Sequence, residues 1–178
     1  MEQNSKDGAN IKEELFMKGI KNLQFNESKG LKGFISIEVR GKDGKIKDQR
    51  EVQNLIVSAG KAGAASRING AGSEAAFTYL AVGTGATAAA AGDTALQTEI
   101  TDSGLARASA TCTRVTTSVT NDTAQLAYTW SVSGTKAVTE CGILNAASTG
   151  TLLGRQVFTA VNVQSGDSLA VTYKIQCS

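Results

Sequence analysis

A glycine-rich loop is the first feature whose residue types and spacing could support chemistry. Residues 83–88, Gly-Thr-Gly-Ala-Thr-Ala, match the loosest form of the dinucleotide-binding pattern Gly-x-Gly-x-x-Gly/Ala. That pattern holds a pyrophosphate only where it opens a helix inside a βαβ unit, and here a small-residue loop and alternating strands are predicted to follow. The loop also lacks the Gly-Lys-Ser/Thr of a P-loop. It therefore predicts a close approach of its backbone to a neighbouring element.

The other sets of residues that could be catalytic carry no specific signature. The chain contains no histidine, which removes the commonest general base, proton shuttle and metal ligand. Ser58, Lys61 and Ser66 could form a serine–lysine set, but nothing in the sequence marks a lysine that loses its proton, so a solvated helix face is the better interpretation. Glu99 and Asp102 could do acid–base chemistry only if both faced a cleft. We expect no catalytic residue and no cofactor or metal site, which makes the chain non-enzymatic.

The three cysteines do not form a recognisable framework. Cys112, Cys141 and Cys177 are far apart and include no Cys-x-x-Cys pair, which argues against a disulfide framework and a zinc site. The sequence predicts three small core or edge residues. Whether any two of them pair stays open.

Arginines in predicted strands are conspicuous because residues 55–178 carry few charges. They are expected to form structural ion pairs with nearby carboxylates, with contacts between subunits as the alternative. The residues concerned are Arg107, Arg114 and Arg155 on one side and Asp93, Glu99 and Glu140 on the other.

Charge divides the chain into an N-terminal arm and a body. Of the 34 charged residues, 20 lie within Met1–Asn54. Asn10 as N-cap, with Glu13 three residues on, predicts a short amphipathic helix. We predict an arm over residues 1–33 and a β-sandwich body over residues 34–178.

The predicted arm helix carries an apolar stripe that needs a surface. A helix this short is marginal alone in water, so its stripe must pack on something. Docking on a partner protein is the favoured interpretation, and docking on the chain's own body is the alternative. The stripe consists of Leu15, Phe16, Ile20 and Leu23.

The body has the patterns of antiparallel β structure with one helix. Small residues followed by Asn69-Gly70 predict a helix from about Val57 to Ile68. Clean alternation over Thr123–Ser133 and Ser168–Cys177 predicts strands with one buried face. The fold class we predict is mainly β, an antiparallel β-sandwich with one short internal helix and an N-terminal arm. Further strands are predicted at residues 34–40, 45–51, 79–83, 106–120, 138–145 and 152–158.

Charge and hydropathy argue against two classes of partner. The formal net charge is +2, with both signs interspersed, so no basic stripe is available to neutralise phosphates, and nucleic acid is not expected as a partner. No apolar run approaches the roughly 18 residues of a membrane span, and the polar start lacks the features of a signal peptide. We expect no membrane partner and synthesis in a cytoplasm.

Five stretches of the body share a pattern with known proteins. They are Asn54-Leu-Ile-Val-Ser-Ala-Gly-Lys, Phe77-Thr-Tyr-Leu-Ala-Val-Gly-Thr-Gly-Ala-Thr, Gly92-Asp-Thr-Ala-Leu-Gln-Thr-Glu-Ile, Thr139-Glu-Cys-Gly-Ile-Leu-Asn and Leu153-Gly-Arg-Gln-Val-Phe. With these stretches the chain resembles small structural proteins of tailed bacteriophage particles, of the head decoration and the tail or fibre-attachment types. The resemblance covers roughly Asn54 to Cys177 and implies assembly, symmetry and no catalysis.

Together these features predict a structural virion component that decorates or cements a capsid through symmetric subunit contacts and its arm. Its expected partners are the major capsid protein or tail and portal proteins, with the chain itself a homo-oligomer. A tail, collar or fibre-attachment protein is the alternative. A carbohydrate-binding adsorption module is a further alternative, disfavoured because aromatic residues make up 5% of the chain and Tyr128 and Trp130 are predicted to face inward.

Overall fold

A computed structural model describes residues 30–178, and the arm helix with its stripe lies outside the described residues. Within them the chain forms nine strands and one helix. In chain order these are β1 (Leu31–Arg40), β2 (Ile46–Ile56), α1 (Ser58–Asn69), β3 (Tyr79–Gly83), β4 (Ala108–Ser109), β5 (Thr111–Val115), β6 (Thr123–Ser131), β7 (Lys136–Leu144), β8 (Leu152–Val163) and β9 (Ser168–Cys177).

All nine strands belong to one antiparallel sheet, in the order β4-β3-β7-β8-β2-β1-β9-β6-β5. The sheet has two halves, β4-β3-β7-β8 and β2-β1-β9-β6-β5. Strand β2 joins them, since it pairs with β1 along most of its length and with β8 only at Leu55 and Ile56. The terminal strands β4 and β5 are separated in the chain by Ala110 alone, so the sheet nearly closes on itself. The predicted mainly β, antiparallel class with one internal helix is confirmed.

The main hydrophobic core lies between the two halves of the sheet, and a second, smaller cluster consists of Val57, Ala81, Leu96, Leu144 and Leu152. Because side chains alternate along a strand, β9 buries Leu169, Val171 and Tyr173. The indole N–H of buried Trp130 donates to the carbonyl oxygen of Ala106 at 2.8 Å, which gives it the partner a buried tryptophan requires.

Tyr128 departs from the predicted burial pattern. It shares the core side of β6 with Trp130, and the two rings meet edge to face with centroids 4.9 Å apart. Yet 36% of Tyr128 is exposed, because β6 lies next to the terminal strand β5, where the sheet is open. Tyr128 therefore lies on the predicted side of the strand, but the prediction that it is buried there is wrong.

Helix α1 packs through glycines. A Cβ on Gly60 would lie 2.0 Å from the carbonyl oxygen of Leu153, so only glycine lets the helix approach β8 this closely. The helix ends at Asn69, and Gly70 follows with φ of 74° and donates its N–H to Ser66. The predicted helix is confirmed with both ends displaced by one residue.

Strand ends differ from the prediction where pairing is non-local. Strand β1 begins at Leu31, three residues before the predicted start, because its ladder with β9 begins there. The Thr-rich run predicted as one strand over residues 106–120 forms only the short strands β4 and β5, since the chain changes partner from β3 to β6 around Ala110. Among residues 30–178, no helix combines the length and hydropathy of a membrane span.

Candidate functional site

The most elaborate polar site in the described chain is an ion network inside the β7–β8 half of the sheet. Glu140 on β7 is 0% exposed and Arg155 on β8 is 2% exposed. The guanidinium Nε of Arg155 donates to Oε2 of Glu140 at 2.6 Å, and its Nη1 donates to Oδ2 of Asp93 at 2.8 Å. Its Nη2 donates to the carbonyl oxygen of Thr87 at 3.0 Å. We call Glu140, Arg155 and Asp93 the clamp.

The Glu140 carboxylate is saturated with donors. Its Oε1 accepts the backbone N–H groups of Gly85 at 3.0 Å and Thr98 at 2.7 Å. Its Oε2 accepts the N–H of Gln97 at 3.0 Å besides the guanidinium. Four donors occupy roughly four lone-pair positions, so the carboxylate has no vacant position for a substrate proton or a metal ion.

The protonation state of Glu140 agrees with a structural role. Burial alone would raise the pKa of this carboxyl, but the N–H of Thr98, the guanidinium of Arg155 and the N–H groups of Gln97 and Gly85 outweigh it, so the pKa lies below its usual value. Glu140 is ionised at neutral pH. A general acid needs the opposite shift.

Glycines let the loop over residues 84–98, the clamped loop, reach the buried carboxylate. A Cβ on Gly83 or Gly85 would lie 2.4 Å or 2.5 Å from Oε1 of Glu140. The predicted close approach of this backbone to a neighbouring element is confirmed. Strand β4 and not a helix is the next element after β3, so the dinucleotide pattern lacks the helix it requires.

Further contacts fix the clamped loop at its outer part. The N–H of Ser58 donates to the carbonyl oxygen of Ala91 at 2.8 Å, and the side chain of Gln97 bonds both the N–H and the hydroxyl of Thr87. The exposed positions of this loop are almost all small, and such side chains lose little rotamer entropy when covered. They are Thr84, Ala86, Thr87, Ala88, Ala90, Ala91, Gly92, Thr94, Ala95, Gln97 and Thr98.

Two of the three predicted arginine pairs are present. Besides the clamp, Arg107 binds Glu99 through two N–H groups, at 2.9 and 2.6 Å. The prediction is confirmed for Arg107 and Arg155. Arg114 lies exposed on β5 and forms no ion pair within residues 30–178.

The other candidate residues all have structural surroundings. Ser58 and Lys61 are exposed on α1, whereas the Ser66 hydroxyl bonds the backbone that follows the helix. Asp102 pairs with Lys136 at 2.8 Å, and Glu99 is taken by Arg107. In the described part of the chain, no cluster of acidic or sulfur ligands is placed to hold a metal ion.

All three cysteines are free thiols, which settles the pairing question left open by the sequence. Cys141 is buried, and burial raises the pKa of its thiol to about 12. Cys112 and Cys177 are exposed, and partial burial raises the pKa of Cys112. A raised pKa opposes thiolate formation, so neither Cys112 nor Cys141 has the environment of a reactive nucleophile.

A second loop, residues 116–122, is also held by a carboxylate that accepts backbone N–H groups, but it lies at the surface. We call it the Asp122 loop. The Asp122 carboxylate accepts the N–H groups of Thr117 and Ser118 at 2.9 Å and of Val119 at 3.0 Å. These bonds, led by that of Val119, lower the pKa of Asp122. Val119 is 69% exposed at the tip.

Sequence analysis missed the role of Glu140 as anchor of the clamped loop. The available signal was a glutamate within the mostly apolar run of residues 137–144, since a buried carboxylate needs several donors. Comparisons with protein-family models, curated proteins and solved structures gave no match for this chain. The likeness to phage structural proteins therefore stays a resemblance of sequence pattern.

Proposed function

We propose that the protein is a non-enzymatic structural component of a tailed bacteriophage particle, which decorates or cements the capsid through symmetric subunit contacts and its N-terminal arm. The observation that carries this proposal is the clamped loop. A buried ion network there uses every acceptor position of its glutamate to fix a surface of small side chains.

A surface fixed in this way suits protein assembly. The clamp holds the loop in one conformation before any partner arrives, so binding does not have to order it. Thr, Ala and Gly side chains present a low, even surface that another protein covers with little loss of rotamer entropy. Such a surface supports contacts that repeat around a symmetric particle.

The arm supplies the second attachment in this proposal. Its stripe of Leu15, Phe16, Ile20 and Leu23 is the partner-binding element, and β1 begins only at Leu31. A variant that lacks residues 1–29 therefore keeps every strand of the body.

A tail, collar or fibre-attachment protein is the second candidate, because the same fixed surface and arm would serve attachment to a tail. A carbohydrate-binding module is less well supported. Phe34 and Tyr128 are the exposed aromatic side chains of the described body. The strand register places them on opposite faces of the sheet, so they do not form one stacking platform.

Binding to particles that lack this chain tests the proposal. Virions are grown from the encoding phage genome with this coding sequence deleted, and the purified protein is added before separate gradient sedimentation of heads and tails. We expect the full-length chain to co-sediment with heads at a fixed copy number. Co-sedimentation with tails alone would select the second candidate, and binding to neither would contradict the proposal.

The arm is tested in the same assay. We expect the quadruple variant L15Q/F16Q/I20Q/L23Q to lose binding while the circular dichroism of its body is unchanged. A matched control changes two polar arm residues, K12Q and K21Q, and should bind normally. Full binding by the quadruple variant would remove the arm from the proposal.

A further inference from the structure

Strand β5 ends the sheet with one unpaired side. Its five residues pair with β6 in continuous register without a bulge. On its other side, no backbone group within residues 30–178 bonds to it. At the opposite end of the sheet, the terminal strand β4 has only two residues, and part of the remaining edge of β3 is covered by the N–H of Ile100, which donates to the carbonyl oxygen of Val82 at 2.9 Å. A free strand edge is a template for another strand.

The core side of β5 and β6 is also open. Cys112 and Arg114 lie opposite Leu126 and Ala124 in the ladder, on the side from which β6 and β9 contribute to the core. Even so, both residues are exposed, as are Ala124 and Tyr128. This end of the sheet therefore has an uncovered face beside its unpaired edge.

Strand β2 shows how this fold protects an edge. Between Ile46 and Asn54, β2 is unpaired on the side of β8. There the side chain of Arg50 pairs with Asp48 and donates to the carbonyl oxygen of Thr159 on β8 at 2.6 Å. Charges placed inward on an edge strand discourage pairing with other chains. Strand β5, Thr-Cys-Thr-Arg-Val, has no such pair, no lysine and no proline.

We propose that a second copy of this chain pairs with β5, as an antiparallel partner across a two-fold axis at Thr113. The inference rests on the proposed function, because it names the surface that makes one of the symmetric subunit contacts. It joins two five-stranded half-sheets into one continuous sheet.

The residues of β5 are compatible with antiparallel pairing to a second copy in this register. Arg114 is the one charged side chain of β5. In a pair centred on Thr113, each Arg114 lies opposite Cys112 of the other copy, so like charges are never directly opposed. Thr111 then lies opposite Val115, and Thr113 opposite itself, and such β-branched pairs are favourable across strands. The contact is smaller than a standard interface of about 1,600 Å², so it associates weakly in solution and gains strength by repetition on a particle.

Disulfide trapping in the full-length chain tests the register. In a background with Cys112→Ser and Cys177→Ser, the variant Thr113→Cys places two thiols opposite each other across the axis, at Cβ separations of roughly 4.5–5.5 Å. Under mild oxidation we expect covalent dimers to form at least about tenfold faster than for Gln49→Cys, an exposed position on the outer face of β2. Equal rates for the two variants would overturn the pairing.

Sedimentation equilibrium at protein concentrations up to about 1 mM, where weak contacts of this size become populated, gives an independent readout. We expect the unmodified chain to dimerise, Thr113→Lys to be monomeric because it opposes two ammonium groups, and Gln49→Lys to behave as the unmodified chain. A monomeric unmodified chain, or a dimer unaffected by Thr113→Lys, would overturn the inference. If the chain does not dimerise but still binds particles, the pairing through β5 is wrong and the proposed function stands. If the chain dimerises through β5 but binds no particles, the pairing stands and the proposed function is wrong.

Discussion

The clamped loop and the Asp122 loop are held by the same device in different surroundings. In each, one carboxylate accepts three backbone N–H groups of its loop. Glu140 does so in the interior, paired with Arg155, whereas Asp122 does so in a loop whose residues Thr116 to Asn121 are all exposed. Burial therefore decides whether such a carboxylate, with its three backbone hydrogen bonds, stabilises the whole fold or only the conformation of one loop.

Removal of Arg155 should have the largest effect, because it leaves Glu140 buried without its cation. We expect Arg155→Met to lower the free energy of unfolding by about 3–5 kcal/mol, measured by urea denaturation. Arg107→Met is the matched control, since the Arg107–Glu99 pair is partly exposed, and its cost should be clearly smaller. Equal losses of unfolding free energy in the two variants would show that burial does not determine how much an ion pair stabilises this fold.

Crowding the clamp should have the next largest effect. The Cβ of Gly85→Ala would meet Oε1 of Glu140, so we expect a loss of about 1–3 kcal/mol and faster hydrogen exchange at Gln97 and Thr98. Gly92→Ala, in the same loop, meets nothing within 4 Å and should be neutral. A neutral Gly85→Ala would contradict the tight approach of loop and carboxylate.

Acid should release both loops. The pKa values of Glu140 and Asp122 lie below their usual values in the folded chain, so ionisation favours the folded state. The stabilisation is complete above the unfolded pKa values of about 4 and is lost as the pH falls through the lower folded values. We expect the melting temperature, followed by circular dichroism, to fall below about pH 4. The melting temperature of Glu140→Gln should be lower at pH 7 and should fall less as the pH is lowered. If its dependence on pH equals that of the unmodified chain, Glu140 does not contribute to the loss of stability in acid.

The smallest effect on global stability should come from Asp122→Ala. This change removes the acceptor of Thr117, Ser118 and Val119 in an exposed loop. We expect the amides of these three residues to exchange at least about tenfold faster, as local opening allows, while the urea midpoint stays near that of the unmodified chain. A loss of stability comparable to that of Arg155→Met would erase the distinction between the two loops.

Features that depend on neighbouring residues in the sequence could be predicted, whereas features that depend on contacts between distant residues could not. The alternation of β9 is a local pattern imposed by one buried face, and it predicted the strand and the burial of Leu169, Val171, Tyr173 and Ile175, but not the exposure of Cys177 at its end. The pairing of Arg155 with Asp93 and Glu140 was also predictable, because a charge inside an apolar strand requires a partner.

Non-local choices escaped prediction. The break of the Thr-rich run around Ala110 depends on β3 and β6, which are distant in sequence. The donors that Glu140 collects are backbone N–H groups, which every residue except proline carries. No residue type in the clamped loop could mark them.

We propose that this chain is a structural part of a phage particle. Quantitative mass spectrometry of gradient-purified virions, grown from the genome that encodes the chain, tests it most directly. We predict that the chain is present at a fixed ratio to the major capsid or tail protein in every preparation. Its absence from purified virions, with abundant chain left in the lysate, would contradict the account.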